Sequence, residues 1–350
     1  MILISTEEEV ALYVSINPTF KFPRIEPHIN RVMRTTISGL LGQALLEKLS
    51  TVYSNALDAL NALPDAEKKA LIKSGKIYTL APEEYHQTLV YLQDAICNIA
   101  FMNCLSQMQV NLGEAGIRLI VNENQKTAFQ WQVDDIKYQA ASDGYAALNG
   151  LLIYLEDHID VFTDWKDSDS YFRQKKYFVE SADLFNEAYY ISNNRMTFLT
   201  LRYIMQRIEI FDVKRIITPT VFEKLKTSQL SDSGYSPKEK VLVESFLIPG
   251  IVLITVAKGI IERAIEVTDL GVQANLYSYY VTLKDARKKS PFESDRDRMV
   301  EQLTADGNEF LLEAKKYIES NPDEFGPLAE SESSTNFRVI NKPERKIYGM

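Results

Sequence analysis

The stretch NPTFKFPRIEPHINRVMRTTISGLLGQALLEKL, residues 17–49, decides the fold because the chain repeats it. Residues 193–225, NNRMTFLTLRYIMQRIEIFDVKRIITPTVFEKL, align with it without a gap. Asn17, Phe22, Arg31, Glu47, Lys48 and Leu49 recur as Asn193, Phe198, Arg207, Glu223, Lys224 and Leu225. Two further blocks follow in the same order. Ile96, Ile99 and Gly116 recur as Ile251, Ile254 and Gly271. Gly144, Leu148, Tyr154, Glu156, Asp160, Phe162 and Ser168 recur as Gly307, Leu311, Tyr317, Glu319, Asp323, Phe325 and Ser331. A doubled unit of this length points to architecture rather than to a single reactive centre.

Working outward, the pattern predicts helices. Thr6 followed by Glu7, Glu8 and Glu9 is an N-cap with acids in the first turn, after an extended arm or short strand at Ile2–Ser5. The first helix should end near Asn17-Pro18. Pro23 should open an amphipathic helix with Ile25, Ile29, Val32 and Ile37 on one face, and a break at 39–42 should lead to a short helix ending near Leu49. Short helices fill 50–82, which is longer than its counterpart in the second unit. Long helices follow at 82–111 and 127–161, the latter with a seam through Ile136, Ala140, Gly144, Leu148, Leu151, Leu155 and Ile159. Residues 116–121 read as a short strand or hairpin arm. A bridging helix at 171–190 should join the units. The second copy repeats the amphipathic helix at 198–213, a long apolar helix at 240–268 and a final helix at 299–319, with 271–306 as a polar, partly extended loop. The expectation is a mainly α protein: a first helical unit at 1–172, a second at 173–330 and an extended docking tail at 331–350.

Composition sets outer limits. The 350 residues are 45% hydrophobic and 25% charged, with only 14 glycines, which is globular and helix-leaning. A net charge of −9 disfavours a nucleic-acid binder, which needs a cationic surplus. Cys97 and Cys104 lie seven apart on one helix, about 10 Å by helix rise and too far to bridge, so they read as buried thiols of a reducing compartment. The early Glu7–Glu9 run argues against a secretory leader. The apolar run 246–261 is shorter than the ~20 residues of a membrane span and reads as a core helix.

The chemistry-bearing residues do not converge. Glycines are isolated, with neither a P-loop nor a dinucleotide fingerprint. His28, His86 and His158 fall in separate helical segments without metal-ligand spacing, and each reads as a surface or helix-end residue. The repeated Glu156/Asp160 pair, returning as Glu319/Asp323, reads as a solvated helix end. Arg173, Lys175 and Lys176 interleave with Tyr171, Phe172, Tyr177 and Phe178, a pattern suited to covering a domain junction. No catalytic, metal or cofactor residue is expected. The candidate residues are interfacial. Arg31 and Arg207 suit an intra-unit ion pair or, as the sharper alternative, a subunit contact. Trp131 suits a core or interface anchor. The tail residues Phe337, Arg338, Ile340, Lys342, Arg345, Lys346, Ile347 and Tyr348 form a basic, apolar strip in an acidic protein, fit to dock on a neighbour.

Several phrases carry a resemblance: Ile37-Ser-Gly-Leu-Leu-Gly-Gln-Ala-Leu45, Glu114-Ala-Gly-Ile117, Lys126-Thr-Ala-Phe-Gln-Trp-Gln132 and Asn193-Asn-Arg-Met-Thr-Phe-Leu-Thr-Leu-Arg202. Across its whole length the chain resembles a family of uncharacterised phage and prophage virion proteins, and the Leu-Leu-Gly-Gln-Ala-Leu phrase is similar to one in small helical head–tail connector proteins. In the second copy Thr218 replaces that phrase's glycine. The resemblance implies a non-enzymatic virion part, assembled in the host cytoplasm. It implies a homo-oligomeric ring between portal and tail, with DNA passing without sequence-specific binding and no membrane contact. A tail terminator, another capsid-associated protein, or a packaging enzyme or regulator are the alternatives.

Overall fold

The computed structural model describes residues 1–17, 20–108, 110–113, 116–119, 129–171, 176–231, 233–262, 265–268, 271–274 and 293–326. The docking tail and the Arg173/Lys175 tract lie outside the described residues. The rest is mainly helical and built twice.

In the first unit, α1 (Glu7–Tyr13) starts at a capping box: Thr6 Oγ1 accepts from the Glu9 amide, and Glu9 accepts from the Thr6 amide. α2 (Phe22–Val32) runs into a π turn at Met33–Ile37, then α3 (Ser38–Leu41). Gly42 reverses the chain at φ 78°, ψ 159°, and α4 (Gln43–Ala62) follows. α5 (Asp65–Ser74) and a 3-10 turn at Ile77–Leu80 lead to α6 (Glu83–Met108). An antiparallel hairpin, β1 (Val110–Gly113) and β2 (Gly116–Leu119), precedes α7 (Gln130–Asp157) and α8 (Thr163–Lys166).

The second unit repeats this order. It has α9 (Ala182–Ala188), α10 (Arg195–Ile208), a π turn at Glu209–Val213, α11 (Lys214–Ile216) and α12 (Pro219–Leu230). Its long apolar helix is α13 (Pro237–Leu242), a further π turn at Val243–Leu247 and α14 (Ile248–Glu262). The hairpin β3 (Ile265–Thr268)/β4 (Gly271–Ala274), α15 (Glu293–Glu319) and α16 (Pro322–Phe325) complete it.

The repeated residues are those that fix the packing. α6 crosses α7 where Gly144 leaves room for Ile99: a Cβ there would sit 2.7 Å from Ile99 Cγ1. The same crossing recurs at Gly307, where a Cβ would sit 2.6 Å from Ile254 Cγ1. Such approach needs the missing side chain. The repeated lysine also keeps its task. Lys48 Nζ reaches Asp164 on α8 at 2.7 Å, and Lys224 Nζ reaches Glu324 on α16 at 2.8 Å. Leu49 and Leu225, next in sequence, are fully buried.

Several expectations are corrected. The helix expected to stop near Leu49 continues to Ala62, because Tyr53, Ala56 and Leu60 keep its buried face going. α1 stops at Tyr13 rather than Asn17. Among the described residues after 171, the expected bridging helix is regular only at 182–188; Phe178 and Val179 are instead buried in the approach to it. The apolar helix of the second unit ends at Glu262, and 265–268 is strand. The final helix starts at Glu293, six residues earlier than expected and inside the stretch read as loop. The N-terminal arm lies on its own unit: Leu3 is fully buried, and Gln93 Nε2 donates to its carbonyl at 2.7 Å.

The helical stretches 83–105 and 237–262 are long and apolar enough to cross a bilayer by length and composition, so the second exceeds the span read from the sequence. In each, 61% of the most apolar stretch is covered by neighbouring helices, as in a core helix.

Candidate functional site

Among the described residues the fold buries the carboxylates Glu9, Glu209 and Glu239 and the guanidinium of Arg195. Arg195, the first residue of α10, has a side chain only 8% exposed. Its guanidinium donates to Glu156 of α7 at 2.8 Å and to Asp183 of α9 at 2.9 Å. Its backbone amide donates to Asn149 Oδ1 of α7 at 2.7 Å. α7 thus supplies an acceptor to the α10 N-terminus, whose first amides lack helical partners, and a carboxylate beside it. Met196 packs on the first core, and Leu199 touches both cores. Glu156, read from sequence as solvated, is therefore the anionic half of the seam between units. Spacing could not show this, because its cation comes from the other repeat.

The second unit also holds a buried ion pair. Glu209, in the π turn, meets Lys226 of α12 at 2.8 Å and accepts from the Phe178 amide at 2.6 Å. Burial pushes the Glu209 carboxyl up and the Lys226 ammonium down, each opposed by the partner's charge. Lys226 also sits 3.6 Å from the Phe178 ring centroid, a cation–π contact that offsets part of its desolvation. In the first unit the buried carboxylate is Glu9. It accepts from Tyr53 Oη at 2.6 Å, the Ser5 amide at 2.8 Å and the Thr6 amide at 3.2 Å, and burial raises its pKa. These groups lock non-helical segments onto helices.

Arg207 makes the intra-unit ion pair that its pattern suggested, donating to Glu262 Oε1 at 2.6 Å from α10 to the end of α14. Arg31 is exposed and makes no ion pair among the described residues. The first-unit counterpart of Glu262 falls at Gln107 or Met108, which carry no charge. Trp131 is exposed, not part of the core, and forms a stripe on α7 with Tyr138 and Tyr145, seven residues apart. Tyr203 and Ile210 make a shorter stripe on the second unit.

The histidines divide. His86 and His158 are bonded to the backbone near helix ends, through Ala81 and Tyr154 carbonyls. His28, read as a surface or helix-end residue, is buried within α2 and meets Gln107 Oε1 at 3.3 Å. Its neighbours Ile25, Ile29 and Val32 set the buried face, and His28 falls on it. Among the described residues no cluster of three or more His, Cys, Asp or Glu side chains could hold a metal ion. Burial raises both thiols, Cys97 most strongly.

A family described as one of unknown function, DUF6712, matches this chain twice, over residues 37–175 and 213–338. Both matches begin at the last residue of a π turn, Ile37 and Val213. No curated protein and no solved structure matches.

Proposed function

The chain belongs to the DUF6712 family, and from that premise we propose that it is a virion structural protein, a head–tail connector or adaptor that forms a homo-oligomeric ring. The observation that carries the reading is the exposed aromatic stripe of Trp131, Tyr138 and Tyr145 on a long helix clamped at its Gly144 crossing. Large aromatic side chains on a rigid element are the usual anchors of protein contacts, since they bury much area for little entropy. The repeated helical body supports the same role by holding such anchors in fixed positions. The resemblance of the repeated phrases to phage proteins supplies the setting.

The test is imaging and mass photometry of the full chain. Uniform rings are expected, and a monomer at every concentration would overturn the reading. Trp131 offers a second readout. The chain has two tryptophans, and Trp165 is already 1% exposed, so burial of the stripe on assembly should appear as a blue shift from Trp131 alone.

A further inference from the structure

The junction inside the chain is a head-to-tail contact, and duplication leaves both of its faces present once more and, among the described residues, uncovered. Inside the chain, α7 of the first unit presents Asn149 and Glu156 to Arg195 at the start of α10, and Met196 and Leu199 beside it pack on the first core. In the second unit the positions of Asn149 and Glu156 are held by Leu312 and Glu319 on α15. Both are exposed, Leu312 at 44%, and Glu319 meets only its helix neighbour Lys315, at 3.9 Å, among the described residues. In the first unit the positions of Met196 and Leu199 are held by Phe20 and Pro23, at the start of α2.

Phe20 of that face lines an open cavity of ≈ 440 Å³, with Ile16, Phe101 and Met108 as further apolar lining and Lys21 and Arg24 as cations. Both cations are exposed. Lys21 approaches Glu7 only at 3.8 Å, and Arg24 forms no ion pair among the described residues. The donor face matches in kind, with an exposed leucine for the apolar lining and a carboxylate two turns away for the cations.

We propose that α15 of one copy docks on the α2 entry of the next copy, as α7 docks on the α10 entry within the chain. Leu312 enters the cavity, and Glu319 meets Lys21 and Arg24, which stand two and five residues after Thr19, the position that Arg195 holds in the second copy. The surface is heterologous, so each copy offers one donor and one acceptor. Repetition closes a ring if the rotation between copies closes and otherwise builds a filament. Each chain then contributes two quasi-equivalent units. The proposal rests on the ring reading above and names the surface that builds it.

The experiment uses full-length chains in sedimentation velocity. Glu319→Arg alone, and Lys21→Glu with Arg24→Glu, should each weaken self-association by about tenfold or more, because like charges meet at the contact. These side chains are exposed, so the fold should persist, which circular dichroism checks. Mixing the two variants restores assembly, since each unlike pairing brings opposite charges together. Leu312→Asp should weaken assembly without rescue by either charge variant. Wild-type rings with variants that assemble equally well would overturn this surface and leave the ring reading standing. Weakening without recovery on mixing would also overturn it. A wild-type chain that never assembles overturns both.

Discussion

The two units share the bend that enters their first long helix more faithfully than the partners of their buried groups. Both bend through a π turn, at Met33–Ile37 and Glu209–Val213, and both then force one residue to positive φ, Gly42 at 78° and Thr218 at 71°. The second tolerates a branched residue where the first has glycine. Among the buried carboxylates, Glu9 and Glu239 each close a capping box, whereas Glu209 stands where the first unit has Met33. Glu9 is held by hydroxyl and amide donors, while Glu209 is held by an ammonium and an amide. The backbone path is what the helix crossings require, so both copies retain it. The polar groups lock the segment entering each unit, and those segments differ: an N-terminal arm in one, a linker from a preceding unit in the other.

The largest effect should come from the charged lock. Lys226→Met leaves Glu209 buried without its cation and should cost about 3–5 kcal/mol, with Glu209→Gln in the same chain recovering most of it. Tyr53→Phe in the first unit removes one donor from Glu9, which retains the Ser5 and Thr6 amides, the Ser5 hydroxyl and the Gln93 side-chain amide, and should cost about 1–3 kcal/mol. Both tryptophans lie in the first unit. Denaturation of the Lys226 variant should therefore show in far-ultraviolet circular dichroism before tryptophan fluorescence. Coincident transitions would mean that the Arg195 seam makes the units one cooperative body.

Next come the glycine crossings. Gly144→Ala and Gly307→Ala should each cost about 1–3 kcal/mol through overpacking. Gly307→Ala should cost more, since its new methyl also meets the Gly250 carbonyl oxygen at 3.1 Å, which cannot rotate away. Equal losses, measured as thermal-unfolding shifts, would show that side-chain relaxation rather than backbone sets the limit.

These sites show what could be read from sequence. The crossings were legible because Ile99, Gly144 and Leu148 recur as a set with Ile254, Gly307 and Leu311, and a small residue repeated on a helix seam marks a close approach. The mainly helical, duplicated architecture followed from the same signal. The Arg207 pair was legible as an intra-unit contact, though its partner Glu262 was not. The seam was not legible. Glu156 and Arg195 belong to different repeats, and no local periodicity links them. Arg195 stands two residues after the repeated Asn193 but replaces Thr19, so the residue that marks the junction is one where the copies disagree. The bent approach through Phe178 and Val179 was hidden by its own side chains, whose interleaved aromatic and basic residues imitate an amphipathic helix.

A smaller gain tests the shared turn. Thr218 holds φ 71° and ψ 150°, a region that is comfortable only for glycine. Thr218→Gly should stabilise the second unit by about 1 kcal/mol, the increase appearing in chemical denaturation. The reverse exchange in the first unit is not its mirror image. A Cβ on Gly42 would lie 3.0 Å from Ser168 Cβ, so Gly42→Thr adds a contact penalty to the backbone strain. If Thr218→Gly destabilises instead, the threonine side chain is contributing packing that outweighs its φ.

The smallest effect separates the two locks by pH. The Glu9 carboxyl is raised above its ordinary 4.5 by burial, against the lowering pull of its Tyr53, Ser5 and Thr6 donors. Between the ordinary and the folded value, the folded chain holds a proton that the unfolded chain has released. The resulting stability is fully present below the unfolded pKa and is lost as pH rises through the folded one. Glu9→Gln removes this dependence and leaves that of Glu209, which is raised for the same reason. The difference in unfolding free energy between wild type and Glu9→Gln should therefore shift in favour of the wild type as pH falls from 7 through the folded pKa. It should level off below about 4.5. A flat difference would mean that the donors around Glu9 fully offset its burial, and that a carboxylate without a cation is as well accommodated in the first unit as the paired one is in the second.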